Sequence, residues 1–237
     1  MPSDVERVTE WIRAQVAEAG RVAAVVGLSG GIDSATVAAL AKRALGDEVY
    51  GVIMPCDSDP ADAEDARLLA ETLGMTHRTV DLGPVFQVLR DQLALPPNMP
   101  RLAVANIKPR LRMITLYAEA AVHNALVLGT GNRSELEIGY FTKYGDGGVD
   151  LLPIGSFLKH EVRQLARDLG VPARIIDRQP SAGLWEGQTD ESEMGMTYQE
   201  LDTYLASGEG SPVVAGLVET MRKASEHKRR LAPVFPR

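Results

Sequence analysis

Residues 25–34 of the chain read Val25-Val26-Gly27-Leu28-Ser29-Gly30-Gly31-Ile32-Asp33-Ser34. The apolar run over 22–28 predicts a buried parallel strand, because it is short, rich in β-branched residues and ended by glycines. Apolar residues then recur at helical spacing over 34–45 and predict a helix. At such a junction the backbone N–H groups of the helix start point outward and carry partial positive charge. The stretch therefore predicts an anion-binding turn in an α/β fold.

The side chains of this turn distinguish between kinds of phosphate site. Gly30 and Gly31 let a phosphate approach the backbone, and Ser29 and Ser34 add hydroxyl donors. Asp33 would repel that phosphate unless a cation lay between them. No Lys follows the glycines, as a mononucleotide P-loop requires, and their spacing does not fit a dinucleotide fingerprint. The pattern instead resembles the PP-loop of N-type ATP pyrophosphatases, with an ordinary glycine turn as the alternative.

Length and composition bound the class of protein. The 237 residues suit one α/β domain over 1–237. Acidic residues outnumber basic ones, 32 to 25, so nucleic acid is not an expected partner. The single cysteine, Cys56, excludes a disulfide framework and a Cys-rich zinc cluster. We see no signal-like segment and no apolar run long enough to span a bilayer, so we expect a cytoplasmic protein without membrane contact.

Periodicity along the rest of the chain predicts alternating strands and helices. A helix is expected over 3–19, with Ser3 as its N-cap and Glu6 at capping-box spacing, and its apolar face packs either on its own domain or on a second subunit. The alternation predicts a doubly wound, mainly parallel, Rossmann-like sheet flanked by helices. Further strands are expected at 48–54, 76–80 and 125–129, helices at 60–73, 104–124, 159–169 and 212–227, a break at 95–100 and a mobile loop at 181–195.

A second turn, from Gly129 to Glu135, follows the strand predicted at 125–129 and leads into a helix. Because the carboxyl ends of parallel strands meet at one edge of a sheet, we expect this turn to face the PP-loop across a crevice. Asp33 and Glu135 would then hold one Mg²⁺ that bridges ATP phosphates, since Mg²⁺ prefers oxygen ligands. Considered alone, Glu135 is better explained as an acid that favours the helix dipole.

A longer set of motifs resembles the ammonia-dependent NAD⁺ synthetase family. The turn at 129–135 is followed by Gly139-Tyr140-Phe141-Thr142-Lys143-Tyr144-Gly145-Asp146-Gly147-Gly148-Val149-Asp150. Three further matches are Pro180-Ser181-Ala182-Gly183-Leu184-Trp185, Gly187-Gln188-Thr189-Asp190-Glu191 and Glu226-His227-Lys228-Arg229-Arg230. The resemblance runs from the PP-loop to the tail. It implies an adenine nucleotide α-hydrolase-like fold and a homodimer with its dinucleotide site at the subunit interface.

The resemblance also implies a two-step ligase reaction. The nicotinate carboxylate of deamido-NAD⁺ attacks the α-phosphate of ATP, giving an adenylate and pyrophosphate. Ammonia then attacks the activated carbonyl and releases AMP and NAD⁺, without a protein nucleophile. The chain is too short for an amidotransferase domain, so we expect ammonia to come from solution or from a partner. Cys56 is accordingly given no catalytic role.

Site residues follow from the resemblance by matching position. Asp33 and Lys159 are the expected catalytic residues, and Asp33 and Glu135 the expected Mg²⁺ ligands. Without the family match, Lys159 is an ordinary first-turn residue, and the basic residues below are solvated surface cations. The expected ATP-binding residues are Gly27, Leu28, Ser29, Gly30, Gly31, Ile32, Ser34, Thr130, Lys159 and Ser181. The expected deamido-NAD⁺-binding residues are Arg110, Lys143, Asp150, His227 and Lys228.

Two other functions remain open at this point. One is another PP-loop ATP pyrophosphatase, such as a GMP-synthetase-like amidase or a tRNA thiolase, although one cysteine cannot supply the pair that a thiolase needs. The other is a nucleotide-binding module without chemistry, which the two acids disfavour because binding alone needs no bridging metal. The N-terminal segment is shorter than is usual for the family, so aromatic contacts to the pyridine ring are not assigned, and Trp11 is expected in packing.

Overall fold

A four-stranded parallel sheet forms the centre of the molecule. The computed structural model describes residues 2–96, 98–181, 183–185 and 187–236. The strands are β1 (Ala23–Leu28), β2 (Val49–Ile53), β3 (Thr76–Thr79) and β4 (Ala125–Leu128). The sheet has the order β3-β2-β1-β4, so the chain runs outward from β1 and then returns to its other side. This reversal opens a crevice between the carboxyl ends of β1 and β4.

Helices cover both faces of the sheet, which confirms the predicted doubly wound class. Alternate residues of β1 pack into different layers, because successive side chains of a strand point to opposite faces. The helices are α1 (Asp4–Glu18), α2 (Ile32–Leu45), α3 (Pro60–Thr72), α4 (Gly83–Gln92), α5 (Arg101–Ala105), α6 (Ile107–His123), α7 (Arg133–Ile138), α8 (Lys159–Asp168), α9 (Ala173–Ile176), α10 (Asp190–Met194), α11 (Tyr198–Ser207) and α12 (Pro212–Arg229). Val26 belongs to the apolar cluster that includes residues of α1, α2, α3 and α8, whereas Val25 belongs to the cluster that includes residues of α4 and α6.

A third apolar cluster lies beside the sheet. It joins α7 to α10, α11 and α12 through residues such as Ile138, Leu201 and Val218, each no more than 1% exposed. The cluster fixes the three C-terminal helices against the turn that follows β4. In the part of the chain that the structure describes, we find no helix with the length and apolarity needed to cross a membrane.

Several element boundaries differ from the sequence prediction. The helix expected over 104–124 is two helices, α5 and α6, which meet at Asn106. Pro109 explains the break, since it has no N–H to continue the helical bonding but is tolerated in the first turn of α6. The loop expected over 181–195 contains α10, and α4, α9 and α11 were not predicted. Ala182 and Glu186 of that loop, Pro97 of the expected break, and both terminal residues of the expected domain lie outside the described residues.

Candidate active site

A cavity of about 1170 Å³ opens at the carboxyl edge of the sheet. The turns after β1, β2 and β4 build its wall, as expected where the strand order reverses. Gly30 is buried behind this wall. The other residues predicted to bind ATP or metal line the cavity, namely Gly27, Leu28, Ser29, Gly31, Ile32, Asp33, Ser34, Thr130, Glu135, Lys159 and Ser181.

The PP-loop is held open by its own hydroxyl groups. The Ser34 hydroxyl donates to the carbonyl of Gly31 (2.9 Å) and accepts from the N–H of Ser29 (3.2 Å). Gly31 is the N-cap of α2 but has no side chain to cap it. The N–H groups at the start of α2 therefore remain available to an anion.

Lys159 brings the two predicted acids together. Its Nζ lies 2.5 Å from Oδ2 of Asp33 and 3.4 Å from Oε1 of Glu135, and its side chain is 1% exposed. Lys159 is the first residue of α8, whereas Asp33 belongs to α2 and Glu135 to α7. Three helix N-termini thus converge on one ammonium group.

Asn132, which the sequence analysis did not select, couples the same two acids. Its Nδ2 donates to Oδ1 of Asp33 (3.0 Å), and its Oδ1 accepts from the N–H of Glu135 (3.1 Å). The N–H of Asn132 donates in turn to Oε2 of Glu135 (3.2 Å), which completes a capping box. Glu135 therefore caps α7 with one oxygen, as its position in the first turn predicts, and meets Lys159 with the other, while its role as a Mg²⁺ ligand stays a prediction.

Burial and charge oppose each other in this cluster. Burial raises the pKa of Glu135 to about 7, against the lowering effect of Lys159. Burial alone would lower the pKa of Lys159, but the carboxylates of Asp33 and Glu135 outweigh it and hold that pKa above its ordinary value. The two carboxylates thus favour the charged ammonium form of Lys159, which can neutralise phosphate charge.

Two tyrosines, the buried Tyr198 and the half-buried Tyr140, extend the cluster toward the C-terminal helices. The Tyr198 hydroxyl lies 3.2 Å from Oε1 of Glu135 and 3.0 Å from Oδ2 of Asp190. The Tyr140 hydroxyl lies 3.2 Å from Oδ1 of Asp190 and 2.5 Å from Oε2 of Glu193. These residues were not predicted to have a role, although Tyr140 and Asp190 fall in the motifs that carry the resemblance.

The donor set suits a hard cation at Asp33 and Glu135. Both carboxylates face the cavity beside the PP-loop, and phosphate oxygens of a nucleotide there would complete an oxygen shell of the kind that Mg²⁺ takes. Protein ligands alone are few, because no group of three or more His, Cys, Asp or Glu side chains with metal-site geometry occurs among the described residues. Asp33 and Glu135 alone therefore supply only part of such an oxygen shell.

The predicted dinucleotide-binding residues are divided between the cavity and the surface. Lys228 lines the cavity, and its Nζ donates to the carbonyls of Gly139 (2.8 Å) and Phe141 (2.7 Å). Arg110 donates to the carbonyl of Lys143 (3.3 Å), whose ammonium in turn donates to the carbonyl of His227. These three residues lie outside the cavity wall, on one stretch of surface.

Asp150, the fifth residue of that set, also lies outside the cavity wall. It accepts from the Tyr117 hydroxyl (3.0 Å) and from the N–H of Val127 (2.8 Å). Burial and the Asp150 carboxylate raise the pKa of Tyr117 to about 12. Asp150 thus ties the end of β4 to the outer side of α6.

Other cations near the cavity were not selected from the sequence. Arg178 lines it and pairs with Asp62 and Asp65 of α3, while Arg112 donates to the carbonyl of Met54 (3.2 Å).

Cys56 is fully buried near Arg112, and burial raises the pKa of its thiol. A buried thiol with a raised pKa is a poor nucleophile, which agrees with the expectation that Cys56 takes no part in catalysis.

The chain is similar to known proteins over nearly its whole length. The family model described as NAD synthase matches residues 4–232. The NH(3)-dependent NAD(+) synthetase of Carboxydothermus hydrogenoformans is 54% identical over 231 residues, covering 97% of this chain and 95% of that protein.

Two solved structures share the fold over nearly the whole chain. A structure of NMN synthetase from Francisella tularensis superposes with a TM-score of 0.93 at 38% identity, covering 98% of this chain and 97% of that chain. A structure of NH3-dependent NAD synthetase from Campylobacter jejuni gives a TM-score of 0.80 at 30% identity, with the same coverage.

Proposed function

The chain belongs to the NAD synthase family, and on that premise we propose that it amidates deamido-NAD⁺ with ammonia, driven by ATP. It is a carbon–nitrogen ligase whose products are NAD⁺, AMP and pyrophosphate. The observation that carries the proposal is the convergence of Asp33, Glu135 and Lys159 beside an open PP-loop in one large cavity.

In the first step the chain has to hold a triphosphate and stabilise its departing pyrophosphate. The N–H groups at the start of α2 and the Ser29 hydroxyl would bind that end of ATP, while the Ser34 hydroxyl, which donates to Gly31, would hold the loop in shape around it. The ammonium of Lys159 would neutralise charge that develops during phosphoryl transfer. Mg²⁺, held by Asp33 and Glu135, would supply Lewis-acid stabilisation of the phosphate oxygens.

We also propose a homodimer, supported by an exposed apolar face. α4 packs against α6, and both helices expose large apolar side chains at helical spacing. Tyr117 of this face holds Asp150, so a dinucleotide residue lies at its border. The side chains are Val85, Val88, Leu89, Ile114, Tyr117 and Val122.

Nicotinate mononucleotide is a second candidate substrate. The support is the structural likeness to the Francisella tularensis NMN synthetase, with a TM-score of 0.93, against 0.80 for the Campylobacter jejuni NAD synthetase. Both substrates present the same carboxylate to the same nucleotide site. They differ in the distal AMP half, which only the dinucleotide carries.

AMP release from ATP, Mg²⁺ and ammonium tests both candidates. We expect turnover with deamido-NAD⁺, and the ratio of kcat/KM between deamido-NAD⁺ and nicotinate mononucleotide decides the preferred acceptor. Glutamine in place of ammonium should give little product. AMP release with xanthylate alone would show a GMP-synthetase-like amidase, and no AMP with any acceptor would show a pure binder. The single domain over 1–237 and the cytoplasmic location stay predictions.

A further inference from the structure

Helix α11 places two buried polar side chains beside the charged cluster, the group formed by Asp33, Glu135 and Lys159. Tyr198 and Asp202 are 1% and 4% exposed and lie four residues apart, so they share one face of the helix. That face packs against the starts of α7 and α8, the two helices that carry Glu135 and Lys159.

Asp202 ties these two helix starts together. Its Oδ1 accepts from the Ser134 hydroxyl (2.5 Å), and its Oδ2 accepts from the N–H of His160 (2.9 Å) and faces His160 Nδ1 at 2.8 Å. The Ser134 hydroxyl accepts from the N–H of Lys159 (3.1 Å). Ser134 and His160 are the chain neighbours of Glu135 and Lys159, so one carboxylate fixes the backbone under both.

The same three residues do not form a nucleophilic triad. A serine nucleophile needs its hydroxyl on the imidazole, whereas Ser134 donates to Asp202. Ser134 is also 0% exposed and cannot reach a substrate. The hydrogen bonds of Asp202 therefore hold the starts of α7 and α8 in place and do not activate a nucleophile.

Tyr198 contacts the side chains of Glu135 and Lys159, whereas Asp202 holds the backbone next to them. Its hydroxyl bonds to Glu135 and Asp190, and its ring lies under the Lys159 ammonium, 4.8 Å from ring centroid to Nζ. A cation over an aromatic face is held electrostatically, most strongly where water is excluded. The ring and the hydroxyl of Tyr198 thus contact both members of the Lys159–Glu135 pair.

We propose that Tyr198 and Asp202 are positioning residues that fix Lys159 and Glu135 relative to the PP-loop. The inference rests on the proposed ligase function and adds the support beneath its charged centre. A displacement of about 1 Å at such a centre can cost on the order of 100-fold in rate, so loss of this support should lower kcat more than it changes substrate binding.

Two substitutions test the proposal by steady-state AMP formation. Asp202→Asn keeps the shape but loses an acceptor oxygen, and we expect kcat to fall by about 100-fold while KM for ATP stays within about threefold. Tyr198→Phe keeps the ring and loses the hydroxyl, and we expect a fall in kcat of about tenfold. If Asp202→Asn does not fold, the kcat of Tyr198→Phe by itself tests the proposal.

Glu200→Ala is the matched control. Glu200 is exposed on the same helix and caps its start with Thr197, so its loss loosens α11 without touching the charged cluster. We expect its loss of Tm to be comparable to that of the two test variants, while its kcat stays within about twofold of wild type. Should Asp202→Asn and Tyr198→Phe lose no more activity than this control, both residues are merely structural and the proposal is wrong.

A crystal structure of Asp202→Asn separates this proposal from the proposed function. We expect the Lys159–Glu135 and Lys159–Asp33 separations to change, and unchanged separations would overturn the proposal. Failure of the wild type to form AMP with either nicotinate substrate would overturn the ligase function, while this structural comparison would still test the role of Asp202.

Discussion

Two adjacent glycines of the PP-loop are required for different reasons. Gly30 has a φ of 79°, and a Cβ there would overlap the carbonyl oxygen of Asp62 in α3. A Cβ on Gly31 would meet only the Ser29 hydroxyl, at 3.3 Å. Gly30 therefore shapes the loop against the fold, whereas Gly31 faces the cavity and any phosphate in it.

Alanine at each glycine should separate folding from binding. In Gly30→Ala the alanine must adopt a left-handed backbone conformation, and its Cβ clashes with the backbone of α3. We expect a loss of at least about 2 kcal/mol in the free energy of unfolding. Gly31→Ala should leave that free energy nearly unchanged but weaken ATP binding, measured by calorimetry. Equal destabilisation by the two substitutions would contradict this division of roles.

Asp33→Ala and Glu135→Ala should each abolish turnover. Either change removes a proposed Mg²⁺ ligand and a partner of Lys159, so we expect kcat to fall by at least about 100-fold. Glu137→Ala is the control, because Glu137 lies on the same helix but pairs with Arg222 at the surface. Near-normal kcat in either acid variant would remove that residue from the site.

Local hydrogen bonds define the ends of several elements. The capping box of Ser3 and Glu6 predicted for α1 is present, with N–H bonds to the Glu6 carboxylate of 2.8 Å and to the Ser3 hydroxyl of 3.3 Å. The same device starts α7 at Asn132, where Glu135 has a second contact in the cavity. One local pattern thus serves stability in one helix and the site in another.

The α1 box should make part of the stability depend on pH. Bonds from Ser3 lower the pKa of Glu6, so its carboxylate stabilises the fold above the unfolded-state pKa and loses that effect as pH falls through the lower folded-state pKa. We expect Glu6→Ala to reduce Tm at pH 7 and the difference from wild type to shrink below about pH 4. Thermal melts across this range measure it, and a constant difference would argue against the effect.

Two cations hold Leu184 and Trp185 at the cavity mouth. Lys108 donates to the carbonyl of Leu184 (3.0 Å), and the Arg101 guanidinium lies over the Trp185 ring, 4.5 Å from its centroid. If the expected loop closes over bound substrates, chymotrypsin should cut at Leu184 and Trp185 unless ATP and deamido-NAD⁺ are both present. Cleavage after the exposed Leu231, which Ala232 follows, is the internal control, and equal rates with and without ligands would reject closure.

At the scale of the whole molecule, the cavity accounts for only part of the expected substrate contacts. Arg110, Lys143 and His227 group on the surface, and Asp150 lies at the border of the apolar α4–α6 face. A second copy on that face would place these residues beside an interface. The expected position of the dinucleotide site at a subunit boundary is consistent with this arrangement.

A charge on the apolar face should therefore split the dimer. Val122 is 77% exposed at the proposed interface, and we expect Val122→Lys to shift the mass measured by light scattering from dimer to monomer. Val213→Lys is the control, because Val213 is 70% exposed on α12, outside that face. A monomeric wild type, or a variant that stays dimeric, would refute this interface.

The sequence by itself determined the strand–turn–helix unit, the alternation that gives a parallel sheet, and the family. These depend on neighbouring residues, whose periodicity and turn chemistry are local properties. Parallel topology also let the sequence predict that Asp33 and Glu135 share one edge. Only the tertiary structure decided that Lys159 lies between them, that Asn132 couples them, and that α11 supports them. Such contacts join residues as far as 126 positions apart, and their geometry depends on how whole helices pack.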